Sequence, residues 1–219
     1  MSQPMQSDKL ASAGSAPRKL SKGQATRRNI LEAAEISFAE VGFDAARLDM
    51  IAEEVGIKQA AIFYHFPSKR NLFDELNRDI QASLVHLTKV RLEGATDPWE
   101  RLMLLVEVWL DFMVARPTAA RLILRACADA TGADGEKGQY STDALHLFRA
   151  VIADGIASGR FGDVSSMYLV NLLSGSILHY VCNPGQLGSD RPYRPDDPAE
   201  VAMFKTVLRK TARAVLDVQ

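Results

Sequence analysis

The segment from Val55 to Phe73, VGIKQAAIFYHFPSKRNLF, contains the side chains whose chemistry is most informative in this chain. Aromatic residues and a histidine crowd into a few positions, preceded by two long hydrogen-bond donors, Lys58 and Gln59. Long donors at the start of a helix suit base edges in a DNA groove, whereas a phenol or imidazole further along, here Tyr64 and His65, suits a phosphate oxygen. The residue types therefore indicate contact with nucleic acid.

Two short helices must position these side chains. The spacing of apolar residues predicts helices over 48–55 and 58–66 joined by a glycine turn, an arrangement typical of a helix-turn-helix that enters the major groove. In the second helix Ile62 and Phe66 are four residues apart and share the inward face. The positions left to point outward are Lys58, Gln59, Ala61, Tyr64 and His65.

The rest of the chain is also predicted to be helical, which gives an all-α fold of about nine helices. A first helix ends at Gly42, where glycine suits a C-terminal cap, and a long fourth helix follows Ser68 as N-cap. Two later helices begin with Asp97 and Asp197 as N-caps, each followed by proline. The later ranges are 98 to about 116, 118–130, 141–158, 163–182 and 198 to about 217. No alternation typical of β-strands persists.

Charge is unevenly distributed although the formal net charge is −1. Up to Arg28, six basic residues and one acidic residue give +5, while four against seven in 29–71 and sixteen against nineteen beyond give −3 each. Residues 1–24 have little to bury, so we expect a disordered basic arm. The cations here could enter a minor groove or add salt-dependent affinity for DNA. They are Arg18, Lys19, Lys22, Arg27 and Arg28.

The sequence also predicts the compartment. Cys127 and Cys182 lie far apart in apolar runs and match no CxxC spacing, which favours a reducing environment and inert thiols over oxidant sensors. No apolar signal region or membrane-length run is present, so we expect a soluble cytoplasmic protein. His146 and His179 lack the partner spacing of a zinc site. No metal or cofactor is predicted.

Several groups of residues around the helix-turn-helix lie at characteristic spacings. They are Ile30-Leu31-Glu32-Ala33-Ala34, Phe38, Gly42-Phe43, Ile51-Ala52, Gly56-Ile57, Ile62-Phe63-Tyr64-His65-Phe66, Pro67-Ser68-Lys69 and Leu72. In these groups, over about a quarter of the chain, the sequence resembles the TetR family of one-component transcriptional regulators. The resemblance implies a homodimer that reads two DNA half-sites roughly 34 Å apart. It also implies a DNA-binding domain over 25–71 and an effector-binding and dimerisation domain over 72–219.

The chain departs from the family pattern at positions that meet DNA. Phe63 stands where the family usually has a tyrosine that contacts a phosphate, so other groups nearby must supply that contact. Arg47 and Lys58 stand where Ser or Thr usually caps the second and third helices, and Lys69 adds a cation at the start of the fourth helix, where backbone N–H groups favour an anion. The predicted DNA-binding residues are Arg47, Lys58, Gln59, Ala61, Tyr64, His65 and Lys69.

The C-terminal part has no family signature to follow, and its site is predicted from residue types. Small-molecule sites combine large apolar walls with a few polar groups. The candidate effector-binding residues are Trp109, Phe112, Met113, Leu122, Phe148 and His179. Ordinary core packing is the alternative for each of them. Arg116, Arg121 and Arg125 could hold an anionic effector, but a solvated face with salt bridges to neighbours is the favoured interpretation.

Two periodic apolar stripes suggest how the chain would dimerise. One comprises Met167, Val170, Leu173, Ile177 and Tyr180, and the other Val201, Phe204, Leu208, Thr211 and Val215. Two such helices from each protomer could form a four-helix interface. Packing within one chain is the alternative.

These observations predict a dimeric repressor that binds double-stranded operator DNA and is released by a small, largely apolar effector. A DNA-binding protein of the same fold, controlled by a partner or acting architecturally, is the alternative. An enzyme is disfavoured, because no Glu-x-x-His pair and no phosphate-cradling glycine loop is present.

Overall fold

The computed structural model describes residues 21–129, 142–185 and 193–217, and within these ranges it contains nine helices and no strand. The all-α prediction is confirmed. The helices are α1 Lys22–Ala45, α2 Leu48–Val55, α3 Gln59–His65, α4 Lys69–Leu92, α5 Pro98–Ala115, α6 Pro117–Asp129, α7 Thr142–Ala157, α8 Ser166–Cys182 and α9 Pro198–Leu216. No helix in the described ranges combines the length and the apolar character needed to cross a membrane.

The first helix begins earlier than the sequence analysis predicted. Ser21 is its N-cap: the backbone N–H of Gln24 donates to Ser21 Oγ at 3.2 Å, and the N–H of Ser21 donates to Gln24 Oε1 at 2.9 Å. This reciprocal pair is a capping box, which satisfies two backbone donors that a helix end otherwise leaves free. Residues 22–24 are therefore helical rather than part of a disordered arm. The rest of the predicted arm, residues 1–20, lies outside the described residues.

The other predicted helix ends are set by local chemistry. Gly42 interrupts α1 with φ 84° and ψ 170°, a conformation open essentially to glycine alone, as the predicted end of that helix required. Gly56 ends α2 in the left-handed region with φ 73°. Ser68 caps α4 by accepting from the N–H of Asn71 at 3.0 Å, and Asp97 and Asp197 cap α5 and α9. The caps predicted at Gly56, Ser68, Asp97 and Asp197 are confirmed, whereas Gly42 kinks α1 and the helix ends at Ala45.

The first four helices enclose a small apolar core. Helix α1 packs against α2 and α4, and α2 packs against α3. Ile62 and Phe66, the two residues of the α3 region predicted to face inward, are fully buried together with Phe38 of α1. Phe38, Phe43 and Phe73 add edge and stacked ring contacts with centroids 5.1–5.9 Å apart. This packing holds the short α3 in a defined orientation, which seven residues alone could not maintain.

Helix α5 is the centre of the C-terminal part. It packs against α4, α6, α7, α8 and α9, and apolar residues are buried around most of its circumference. Such a helix is typical of a domain interior rather than a surface. The C-terminal core is therefore arranged around α5, with α6, α7 and α8 on the sides that α4 and α9 leave free.

The apolar stripes predicted for dimerisation mostly pack within the chain. Val170, Leu173 and Ile177 of α8 are at most 5% exposed, and Tyr180 stacks on Phe204 of α9 with ring centroids 4.2 Å apart. The interpretation of these two stripes as an interface is therefore wrong for most of their members. Two stripe members, Met167 and Val215, remain on the surface, together with apolar residues outside the stripes: Tyr168, Leu172, Met203 and Val207.

Candidate functional site

Helix α3 presents the outward face that the sequence analysis predicted. Tyr64 is 84% exposed, Lys58 and Gln59 are exposed, and Ala61 and His65 are half-buried at the edge of the face. The rings of Tyr64 and His65 meet edge to face with centroids 5.2 Å apart, so the phenol and the imidazole stand side by side. Hydrogen-bond donors at the start of α3 and aromatic groups near its end are therefore accessible along one face, as on a helix that enters a DNA groove.

Two cations stand at the N-termini of α2 and α3 without capping these helices. Arg47 and Lys58 occupy the N-cap positions of α2 and α3, and neither side chain bonds to its own helix end. Arg47 instead donates from Nε to Asp49 Oδ1 at 3.1 Å and from Nη2 to Asp49 Oδ2. This hydrogen-bonded pair raises the pKa of Arg47 and lowers that of Asp49. Because the pair is exposed it contributes little stability, and Arg47 can exchange Asp49 for a phosphate.

Lys69 has a structural partner as well as a predicted role toward DNA. Its ammonium donates to the backbone carbonyl of Asp44 at 3.0 Å and lies 4.9 Å from the ring centroid of Phe43. Both partners belong to the turn after Gly42, so Lys69 ties the start of α4 to the end of α1. A contact of Lys69 with phosphate would have to share the ammonium with this carbonyl.

Arg27 does not behave as part of an arm. Its guanidinium donates to Glu75 Oε2 at 2.7 Å and lies 4.7 Å from the ring centroid of Phe66. Hydrogen bonds from Arg27, together with those from Arg78, hold the pKa of Glu75 below its ordinary value despite partial burial. Arg27 therefore links α1, α4 and the end of α3, and the interpretation of this residue as a cation free to enter a minor groove is wrong.

A partly buried ion-pair cluster, which we call the interdomain clamp, joins α1 and α4 to the junction of α5 and α6. Glu35 of α1 is 6% exposed and accepts bonds from Arg116 at 2.6–3.0 Å and from Thr118 Oγ1 at 2.5 Å. Arg116 also donates to Asp79 of α4 at 2.9 Å. Burial opposes the charge on Arg116, but its bonds to Glu35 and Asp79 outweigh that effect and raise its pKa.

Arg125 of α6 also binds α1, near the end of that helix. Arg125 donates from Nε to the carbonyl of Ala39 at 3.1 Å and from Nη2 to that of Glu40 at 2.7 Å. These carbonyls lie just before Gly42, where the backbone leaves the helical conformation. The expectation of a solvated face with salt bridges to neighbours therefore holds in part: Arg116 pairs with Glu35 and Asp79, and Arg121 and Arg125 are exposed. The sequence analysis did not predict that Arg116 and Arg125 bind α1.

Five of the six candidate effector-binding residues are buried in the apolar core. Trp109, Phe112, Met113, Leu122 and Phe148 are at most 8% exposed and belong to the same apolar core. His179 does not join them. It is exposed on α8, where its Nδ1 lies 3.2 Å from the amide nitrogen of Asn183. The predicted pairing of this imidazole with the apolar walls is wrong, because His179 falls on the outer side of the helix.

The clamp residues Glu35, Asp79 and Thr118 were missed by sequence reasoning. Glu35 adjoins the apolar face of α1, and a carboxylate at such a position signals a partner because buried charges are paired. The partner lies 81 residues further on, so the sequence offers no local sign of its identity.

Comparison with known proteins agrees with this architecture. The profile of the bacterial regulatory proteins, tetR family, matches residues 30–76, which run from α1 into α4. The repressor NicS of Pseudomonas putida is 30% identical over 160 residues, which cover 71% of this chain and 74% of NicS. This similarity extends well past the helix-turn-helix into the C-terminal helices.

Solved structures share this fold. A putative transcriptional regulator from Saccharomonospora viridis in complex with choline superposes with a TM-score of 0.70 at 24% identity, covering 89% of this chain and 98% of that one. FadR from Bacillus subtilis in complex with stearoyl-CoA gives 0.65 at 17% identity, covering 84% and 96%. Since identity this low shows only the fold, it is the NicS similarity that carries the relationship: this chain belongs to the TetR family of bacterial transcriptional regulators.

Proposed function

We propose that this chain is a dimeric repressor that binds operator DNA through α3 and leaves it when a small, largely apolar effector occupies the C-terminal helices. The observation that carries the proposal is the division of α3 into two faces. Ile62 and the adjoining Phe66 are fully buried, while Lys58, Gln59 and Tyr64 are exposed. Lysine and glutamine are exposed on most surface helices, but a tyrosine that is 84% exposed beside them is unusual and points to a binding face.

The outward residues divide by chemistry. Lys58 and Gln59, at the start of α3, reach base edges, and Ala61 offers a methyl group to thymine. Tyr64 and His65 donate to phosphate oxygens, since Phe63 lacks a hydroxyl for that purpose. Arg47 and Lys69 add charge at the phosphate backbone, which gives affinity that falls with salt.

The remaining exposed apolar residues of α8 and α9 form the proposed dimer face. Tyr168 and Leu172 are one turn apart on α8, and Met203 and Val207 are one turn apart on α9; all four are 47–69% exposed. Packing these helices against their symmetry mates buries that surface in a four-helix arrangement. Such a dimer holds the two α3 helices at the fixed separation that two half-sites require.

The interdomain clamp supports a route from effector to DNA. Helix α6 carries Thr118 and Arg125, and both bind α1 directly. A ligand that binds better when α6 is displaced shifts the population toward the displaced state, and the bonds to α1 carry that displacement to the DNA-binding helices. In this proposal residues 25–71 form the DNA-binding domain and residues 72–219 the effector-binding and dimerisation domain.

Selection of binding sites from random duplex DNA tests the proposal. We expect an inverted repeat with half-site centres about 10 base pairs, or a multiple of that, apart. Lys58→Ala should lower affinity for the selected site about tenfold or more. Lys89→Ala is the matched control, because Lys89 is an exposed lysine near the far end of α4. Equal loss in the two variants, or selection of no repeat, would contradict the proposed role of α3.

A further inference from the structure

The indole N–H of Trp109 is buried without a hydrogen-bond acceptor. Trp109 is 5% exposed, and its Nε1 has no partner among the described residues. Buried N–H groups in native proteins are nearly always bonded, and a buried tryptophan usually finds an acceptor for its ring nitrogen. An unpaired donor in this position is stabilised by any ligand that brings an acceptor to it.

The position of Trp109 on α5 directs the indole toward the interior of the domain. Glu107 and Asp111 form ion pairs with Arg209 and Lys205 of α9 at 2.9 Å and 2.6 Å, which fixes the edge of α5 that faces α9. Trp109 lies two residues from each of these acids, so at about 100° per residue it points roughly 160° away from that edge. Its neighbours one turn away are apolar and at most 7% exposed: Leu105, Val106, Phe112 and Met113.

The neighbours of Trp109 one turn away on α5 offer no charge to a ligand. The buried polar or charged residues in the described ranges are Glu35 and Thr88. Glu35 is held in the interdomain clamp, and the hydroxyl of Thr88 donates to the carbonyl of Leu84 at 2.7 Å. A charged group placed beside Trp109 would lose its hydration without gaining a counter-ion, which is costly. A neutral acceptor avoids that penalty.

Building on the proposed function, we propose that the effector is a neutral, mainly apolar molecule whose carbonyl or ether oxygen accepts a hydrogen bond from Trp109 Nε1. The apolar neighbours hold the body of the ligand, and the indole fixes its orientation. Met113, one turn further along α5, has a flexible thioether side chain that can repack around a guest.

One spectroscopic and one calorimetric measurement test the hydrogen bond. The chain has two tryptophans, so Trp99→Phe leaves Trp109 as the sole indole. The probes are medium-chain 2-alkanones, each compared with the 2-methyl-1-alkene in which C=CH₂ replaces C=O. We expect the ketone, and not the alkene, to move the indole proton resonance downfield in ¹⁵N–¹H spectra. In calorimetry the ketone should bind about tenfold more tightly than the alkene.

The double variant Trp99→Phe/Trp109→Phe is the control. In it the ratio of ketone to alkene affinity should fall to about one, because the donor is gone while an aromatic wall remains. Equal affinities in the Trp99→Phe protein, a ketone preference that survives in the double variant, or binding by no ketone would each overturn the inference. Operator binding by the ligand-free wild type is measured on the same preparations. Its presence leaves the proposed repressor function standing when the ketones fail, and its absence refutes that function instead.

Discussion

Removal of Glu35 is the most direct test of the interdomain clamp. The carboxylate accepts from Nε and Nη2 of Arg116 at 2.8 Å and 2.6 Å, which is the two-pronged geometry that makes arginine–carboxylate pairs strong. It also accepts the hydroxyl of Thr118. Glu35→Ala therefore breaks contacts between the first helix and the α5–α6 junction while leaving the apolar cores untouched.

The expected loss of stability depends on how deeply the ion pair is buried and on which partners Arg116 and Thr118 keep. Breaking a fully buried ion pair costs about 3–5 kcal/mol. Arg116 retains 25% side-chain exposure and keeps Asp79 as a counter-ion at 2.9 Å, so the charge is not left bare. The stranded hydroxyl of Thr118 adds about 1 kcal/mol. We expect Glu35→Ala to lower the free energy of unfolding by about 2–4 kcal/mol and Glu35→Gln, which keeps the shape and one acceptor, by about half as much.

Urea unfolding followed by far-ultraviolet circular dichroism measures this cost. The variants are compared at one protein concentration, because dimerisation would link stability to concentration. Glu32→Ala is the matched control: Glu32 lies on the same helix and pairs with Arg28 at 3.4 Å, but both side chains are more than 60% exposed. Its loss should cost less than about 1 kcal/mol.

A double-mutant cycle isolates the pair itself. Combining Glu35→Ala with Arg116→Ala should show a coupling free energy of about 1–3 kcal/mol, because the two side chains are in direct contact. The reasoning fails if Glu35→Ala is no more destabilising than Glu32→Ala, or if the two clamp substitutions are additive.

Three further predictions concern stability. Burial raises the pKa of the Tyr180 phenol to about 12 from 10.0. Because the folded protein has the higher pKa, the contribution of this group to the free energy of unfolding is fully present below about pH 10. It falls by up to about 2–3 kcal/mol as pH rises toward 12. Tyr180→Phe should remove that part of the alkaline loss in urea titrations, and an unchanged slope would contradict the prediction. A Cβ on Gly155 would lie 2.0 Å from Cδ2 of Phe161, so Gly155→Ala should cost about 1–3 kcal/mol in thermal unfolding, whereas Gly23→Ala, with nothing within 4 Å, should cost nothing. Ser21→Ala should cost about 1 kcal/mol and speed amide exchange in the first turn of α1; unchanged exchange would show that the cap is dispensable.

Helix positions were predictable because their signals are local. Gly56 ends α2 and Asp97 starts α5 through contacts within four residues, so the chain itself carries the information. The two faces of α3 followed from the four-residue spacing of Ile62 and Phe66 in the same way. Ser21 shows the limit of composition: its Ser-x-x-Gln pattern marks a capping box, but the polar residues around it predicted disorder instead.

Contacts between distant segments were not predictable. Arg116 lies 81 residues from Glu35, and nothing in either local sequence names the other. On α8, the periodicity of apolar residues could not show which of two adjoining faces is buried. Val170 and Leu173 face the core, while Tyr168 and Leu172 lie on the surface. Which face is buried depends on where neighbouring helices lie, and that is a property of the assembled fold.

The packing of α3 explains why contacts between α6 and α1 would affect the proposed DNA contacts. With seven residues, α3 has too few internal hydrogen bonds to hold an orientation by itself. Its direction is set by Ile62 and Phe66 in the core, and Phe66 lies under the guanidinium of Arg27, a residue of α1. A tilt of α1 must therefore turn α3 as well, unless that core repacks. Since Thr118 and Arg125 of α6 bind α1 at its middle and near its end, α6 acts on the helix to which the proposed DNA-reading face is bound.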